Sequence, residues 1–219
     1  MISHKHKFIF IHAPKTAGNS VQSYLQNYSE DKITVNKEEV TYNTGDKFYL
    51  DRFGIKSSNP EVFDYCKHTT LNEYYNNWPK KYRSIEDFFK FGIVRNPWDR
   101  VISYCFFKFQ IERGHKMFDA TKIDKKTFAI MTRSLMTCSD FFYVNKYNDY
   151  KLDYVIKFEN LQQGFDIACD KIGIPRKQLA HLNNSKHKHY TEYYDDETRQ
   201  IVAEKFAKDI EYFGYKFGL

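Results

Sequence analysis

Residues 8–24 read FIFIHAPKTAGNSVQSY, and the fold follows from how that stretch divides. Phe8-Ile9-Phe10-Ile11 is a short apolar run, rich in aromatic and β-branched side chains, as a core strand requires. Ala13-Pro14-Lys15-Thr16-Ala17-Gly18-Asn19-Ser20 cannot extend it, because Pro14 has no backbone N–H to donate and Gly18 admits positive φ. Val21, Tyr24, Leu25 and Tyr28 then recur at helical spacing, so a helix begins inside the loop. A loop that leaves a strand and enters a helix suits an anion. The first N–H groups of the helix lack internal partners, and its dipole favours negative charge there. The segment departs from the nucleotide loop GxxxxGK[ST]: Asn19 stands where that lysine would, and Lys15, earlier in the loop, is the only lysine. An ordinary turn with an exposed lysine is the plainer reading of the same residues.

The chain has 219 residues, enough for one domain with a sizeable core, and is expected to form a single domain over 1–219. A net charge of +6 suits an anionic ligand but is spread too evenly to imply nucleic acid. Aromatic residues make up 18% of the chain and fall largely in strand and apolar helix positions, as core does. Cys66, Cys105, Cys138 and Cys169 form no CxxC pair and no metal-like spacing, and read as buried thiols in a reducing compartment. The amino-terminal MISHKHKFIFIH has too short an apolar run for a signal peptide, and no segment reads as membrane-spanning. The expected location is cytoplasmic, or luminal if the chain is part of a longer anchored protein.

Outward from the opening stretch, residues 29–60 are polar and rich in turn signals, with room for a small hairpin, and read as a variable insertion. Val62–Cys66 is a candidate second strand. It is followed by Lys67-His68-Thr69-Thr70 and a helix through Leu71, Tyr74, Tyr75 and Trp78. Phe91-Gly92-Ile93-Val94 is a third strand; Asn96 then suits an N-cap and Pro97 a first helical position. Val101, Ile102, Cys105, Phe106 and Phe109 line the helix that follows. A further helix is expected over Thr127–Met136 and a fourth strand at Tyr154-Val155-Ile156. Another helix runs from Leu161 to Ile172, closed by Gly173 and Pro175. Leu179–Tyr193 reads as a basic loop, and Val202, Phe206, Ile210 and Phe213 mark one last helix. Alternating strands and helices imply an α/β, three-layer fold with a central, mostly parallel sheet flanked by helices. Ligands of such sheets bind beyond the carboxyl ends of the strands, which is where Lys15–Ser20, Lys67-His68 and Arg95–Asp99 fall.

PKTAGNS after the first strand and FGIVRNPWDRVISYCF after a later one resemble the two cofactor motifs of sulfotransferases that use PAPS (3′-phosphoadenosine 5′-phosphosulfate). The closer resemblance is to the type-two, carbohydrate branch that includes the heparan and chondroitin enzymes. VIKFENLQQGF, the HLNNS loop and the helix ending DIEYFGY resemble that family too, so the likeness covers most of the chain outside residues 29–60. It implies a P-loop-like α/β fold and sulfonate transfer from PAPS to a hydroxyl, on a carbohydrate or glycan. It also implies that Lys15, Thr16, Ala17, Gly18, Asn19 and Ser20 surround the 5′-phosphosulfate, and that Arg95 and Ser103 hold the 3′-phosphate. A guanidinium offers a charge-assisted fork to phosphate; the alternative for Arg95 is a structural ion pair, and for Ser103 a plain helix-surface serine.

Sulfuryl transfer, like phosphoryl transfer, needs position and charge stabilisation more than covalent help. Lys15 suits the charge forming on the departing phosphate. No metal is expected. His68 is the candidate base, with an ordinary pKa of about 6.5; the alternative is a histidine bonded to backbone. In KHTTLNEY it also resembles the family's catalytic histidine. His12 reads as structural, His4 and His6 as parts of a solvated tail, and His115 as exposed loop. Glu159 suits either a base or a helix N-terminal carboxylate. The basic loop 183–190, with Lys186, is a candidate cover for adenine and the 3′-phosphate, or a solvated charge run. Arg100, Arg113, Arg133, Tyr104, Phe107 and Tyr143 are candidate acceptor contacts. The rival functions are a P-loop kinase of a nucleoside or small molecule, disfavoured by Asn19 and by the want of a strand-borne Mg²⁺ aspartate, and a nucleic-acid binding module.

Overall fold

The computed structural model of the chain describes residues 1–29, 48–51, 54–57, 68–78, 83–112, 123–180 and 188–219. In chain order its elements are β1 (Ile2–Ser3), β2 (Phe8–Ile11), α1 (Gly18–Leu25), β3 (Phe48–Asp51), β4 (Gly54–Ser57), α2 (Leu71–Asn76), β5 (Phe89–Val94) and α3 (Pro97–Glu112). They continue as α4 (Lys125–Ser134), α5 (Cys138–Phe142), β6 (Tyr143–Val144), β7 (Asp149–Tyr150), β8 (Tyr154–Lys157), α6 (Leu161–Ile172), α7 (Asp196–Lys205) and α8 (Ala207–Phe213). The chain gathers into two compact units, residues 1–94 with 140–182, and residues 95–139 with 183–219.

The first unit carries the central sheet, ordered β1-β2-β5-β8. β2 pairs parallel to β5 with Phe10 opposite Phe91, β5 pairs parallel to β8 with Ile93 opposite Ile156, and β1 adds antiparallel to β2. The sheet is therefore mostly parallel, and the antiparallel edge strand is an addition to what the sequence suggested. Side chains alternate across the pleat. Phe8, Phe10, Phe91, Ile93 and Ile156 share one face and pack with Val21 and Leu25 of α1 and Phe165, Ala168, Cys169 and Ile172 of α6. Burying each of these large side chains contributes about 1.5–3 kcal/mol. On the other face, Gly92 lets the Phe142 ring approach so closely that a Cβ would lie 2.6 Å from it. Both faces of the sheet are thus covered, which explains why the strands read as continuous apolar runs.

Gly173 closes α6 with φ 67, where a side chain would strain the backbone. The expected hairpin inside 29–60 is present as the antiparallel pair β3–β4. The expected strand at Val62–Cys66 lies outside the described residues. α2 ends two residues short of Trp78, with Asn77 N–H turned back to Glu73 O. His4 and His6 are not in a solvated tail: His4 packs edge-on against Phe88 and His6 against Tyr28, because β1 returns the chain along β2.

The second unit is helical. Trp98, Val101, Ile102 and Cys105 of α3 pack with Phe128, Leu135, Tyr190, Val202 and Phe206. The single helix expected over 202–213 is two, divided at Phe206, whose φ of −107 and ψ of 23 leave the helical region. α8 also turns Asp209 inward. Its carboxylate is 1% exposed and accepts from the backbone N–H groups of Cys138 and Ser139 at 2.7 and 2.8 Å, which caps the start of α5. Two helices that share one buried face give the same periodicity as one, so hydrophobic spacing cannot reveal the break.

Candidate active site

β2 ends at Ile11, and the chain turns through residues 12–17 into α1. Two residues of this turn, Lys15 at φ 67 and Ala17 at φ 64, adopt the left-handed conformation without being glycine. Each costs on the order of 1–2 kcal/mol and persists only if its surroundings hold it. Thr16 between them is fully buried and donates its hydroxyl proton to Ala13 O at 2.8 Å, closing the turn from inside. What Thr16 can offer an anion is therefore its backbone N–H.

Ala17 is the N-cap of α1, no side chain bonds the cap, and the first turn has no acidic residue. The N–H groups of Gly18 and Asn19 precede any intrahelical acceptor, whereas Ser20 N–H already bonds Ala17 O at 3.0 Å. A helix N-terminus unprovided with a carboxylate, beside a lysine, fits a phosphate or sulfate group. Gly18 itself does not use positive φ. It is required for space: a Cβ there would stand 2.2 Å from His12 Cδ2 and 2.3 Å from Nε2.

The imidazole of His12 thus lies on the first residue of α1. It is 5% exposed, and its Nδ1 is 3.0 Å from Oε1 of Gln22, one turn further along the helix. An amide oxygen only accepts, so His12 Nδ1 carries the proton. His68 comes next to it, with ring centroids 4.7 Å apart and planes at 69°. His68 Nδ1 is 2.7 Å from the backbone oxygen of His12. A carbonyl also only accepts, so Nδ1 of His68 is the protonated nitrogen and Nε2 bears the basic lone pair. Backbone bonding, the plainer alternative for His68, is thus present. The Thr70–Glu73 capping box fixes the backbone just beyond, with Glu73 Oε2 accepting from Thr70 N–H at 2.7 Å.

The remaining predicted cofactor residues that the structure describes belong to the second unit. Arg95 follows β5 directly and binds Asp99 through Nε at 2.7 Å, both side chains being mostly buried. The ion pair weighed against cofactor binding is present, and it fixes one edge of the guanidinium at the start of α3. Asn96 Oδ1 accepts from Trp98 N–H at 3.2 Å as the N-cap, while Nδ2 donates to Tyr190 Oη at 3.2 Å and to the backbone oxygens of Lys216 and Leu219 at 3.0 Å each. Ser103, two turns along, is buried rather than on the helix surface. Burial holds the phenol of nearby Tyr194 neutral far above the usual tyrosine range, aided by Cys105, Asp99 and Tyr190, and it donates to Trp98 O at 2.8 Å.

Lys186, Arg113 and His115 lie outside the described residues. Glu159 is exposed in a single 3₁₀ turn after β8. Arg100 has no exposed surface and sits 5.9 Å from the Phe206 ring centre, so it cannot meet an acceptor from solution. Phe107 and Arg133 are exposed, while Tyr104 and Tyr143 are half-buried. Among the described residues no group of three or more His, Cys, Asp or Glu could hold a metal ion. Sequence reasoning passed over Gln22 and Asp99. Gln22 lies four residues beyond Gly18 on α1, and Asp99 lies four residues beyond Arg95, in the first turn of α3; that spacing was the available signal.

The type-two family model described as "Sulfotransferase family" matches residues 1–216, and the chain belongs to that family. No curated protein matches the chain. Among solved structures, the chain is similar to a sulfotransferase from Alicyclobacillus acidocaldarius, at 13% identity, 96% coverage of both chains and a TM-score of 0.39.

Proposed function

We propose that this protein transfers a sulfonate group from PAPS to a hydroxyl of a carbohydrate. The observation that carries the reading is His68, whose Nδ1–H is bonded to His12 O at the mouth of the Lys15 loop. One element thereby brings a base to the turn that suits an anion.

PAPS supplies an activated sulfonate whose bond to the 5′-phosphate oxygen breaks as the acceptor oxygen bonds to sulfur. Nε2 of His68 takes the acceptor's hydroxyl proton, which raises the nucleophilicity of that oxygen. The ammonium of Lys15 offsets the charge that collects on the departing phosphate oxygen. The N–H groups of Gly18 and Asn19 add to it, fixed in direction before reaction and needing no reorganisation. Arg95 and Ser103 are assigned to the 3′-phosphate, Arg95 as a guanidinium already oriented through its Nε bond to Asp99.

Thermal unfolding tests the donor. Adenosine 3′,5′-bisphosphate at about 100 times its dissociation constant stabilises by about 2.7 kcal/mol. For a chain of this size that is a rise of roughly 5–10 °C in Tm. ATP with Mg²⁺ at the same concentration raises it far less. Equal stabilisation by ATP would return the kinase reading, and no rise with the bisphosphate would remove PAPS. Arg95→Ala should abolish most of the bisphosphate's shift.

A further inference from the structure

We infer that His12 and Gln22 form a positioning pair for His68, tying the base to the helix that receives the anion. The inference rests on the assignment of His68 as base and goes beyond it by naming what sets that base in place.

Three observations converge on the His12 ring. α1 grips it from two directions: Gly18 leaves no room between its own Cα and the ring, and Gln22 Oε1 accepts from Nδ1 at 3.0 Å. Both partners are enclosed, with Gln22 1% and His12 5% exposed, so the bond is made away from competing water. The ring then meets His68 at 4.7 Å with an interplanar angle of 69°, while the backbone of the same residue accepts the Nδ1 proton of His68.

A hydrogen bond to Nδ1 fixes one point of the His68 imidazole and leaves its plane to be set by what packs beside it. The His12 ring packs edge-to-face against it at 4.7 Å, and it keeps that position because it is itself gripped by α1. Gln22 holds it, and by accepting at Nδ1 it also fixes which nitrogen of His12 carries hydrogen. The chain of dependence runs from α1 to Gln22, to the His12 ring and carbonyl, to His68. The helix that presents N–H groups to the phosphosulfate therefore also sets the direction of the base. Reacting groups held in one frame in this way react faster without tighter ground-state binding. Gln22 and His12 touch neither donor nor acceptor in this account; they act through His68.

Two measurements test it. In long-range ¹H–¹⁵N correlation spectra of the wild-type imidazoles, both His12 and His68 should appear as the Nδ1–H tautomer; an Nε2–H form at either overturns the inference. Gln22→Met keeps side-chain length and removes the acceptor. With pooled oligosaccharides as acceptors and bisphosphate release from PAPS as readout, kcat should fall about tenfold, below the roughly hundredfold that a 1 Å misplacement costs. KM for PAPS should stay within about twofold, since the anion loop is unchanged. The His12 signal should become a mixture of tautomers, because its Nδ1 acceptor is gone. Wild-type kcat with a single His12 tautomer in Gln22→Met would overturn the pairing. His68→Ala separates the two readings: if it keeps full activity, the base assignment itself has failed. If Gln22→Met does not fold, the wild-type spectrum alone decides.

Discussion

Adding one methyl group at Gly18 tests the centre of the site. In Gly18→Ala the new Cβ would stand 2.2 Å from Cδ2, 2.3 Å from Nε2 and 2.8 Å from Cγ of His12, all atoms of one buried ring rather than the end of a flexible chain. To restore an ordinary contact of about 3.4 Å the ring must retreat by roughly 1.2 Å. Overpacking of that kind costs about 1–3 kcal/mol. Breaking the bond from His12 to Gln22 adds about 1 kcal/mol. Against this, alanine is favoured over glycine in a helix and in restricting the unfolded chain by about 0.5–1 kcal/mol. The net loss is about 1–3 kcal/mol, a fall of about 2–12 °C in Tm by circular dichroism for a chain of this size. The decisive arm is a double-mutant cycle. In a His12→Ala background the obstructing ring is gone, so Gly18→Ala should become neutral or mildly stabilising, with a coupling energy of about 2 kcal/mol. An unchanged Tm in Gly18→Ala, or the same loss in both backgrounds, would refute the packing argument and with it the grip of α1 on His12.

Three further outcomes follow. Lys15→Ala should lower kcat by about 10²–10³, the loss expected for one charge-stabilising group, with the fold intact by circular dichroism; full turnover would remove Lys15 from the leaving-group role. Asp209→Ala leaves two buried N–H groups without their acceptor and should cost about 2–5 kcal/mol in urea unfolding, whereas a change under 1 kcal/mol would show that the α5 cap is dispensable. Burial pushes the Cys105 thiol up to about 12, above the ordinary 9.0 that it regains on unfolding. Its contribution to stability is therefore complete below pH 9 and is lost as pH rises from there towards 12. Urea midpoints measured between pH 8 and 11 should fall more steeply in the wild type than in Cys105→Ala; parallel slopes would count against a buried thiol.

Local signals were legible where side chain and backbone agree. Phe8–Ile11, the Asn96-Pro97 start of α3 and the Gly173 close of α6 stand where residue chemistry put them, since each depends on its immediate neighbours alone. Phe206 was not legible as a helix break, because Val202 and Ile210 keep the same face buried on either side of it. β1 was missed because two residues give no period to read, and its pairing with β2 is a tertiary fact. At the site, the place of Lys15 in the turn before α1 could be read from residue type and position in the chain. The strained backbone could not: Gly18 was the natural residue to suspect, while the left-handed positions are Lys15 and Ala17, held by the buried Thr16 hydroxyl. Gln22 looked like an ordinary helix polar residue. Its partner, His12, lies ten residues earlier, and only the folded turn brings them together.

Ala17 keeps its left-handed turn with a methyl group where glycine would sit without strain. A glycine would also let the segment sample many shapes, and the nucleotide proposed to bind there would then have to select one and forfeit affinity in doing so. With alanine locked by its neighbours, that ordering cost is met once, when the polypeptide folds. Capture of the proposed donor should then be limited by how often the two molecules meet, not by how long the loop takes to rearrange.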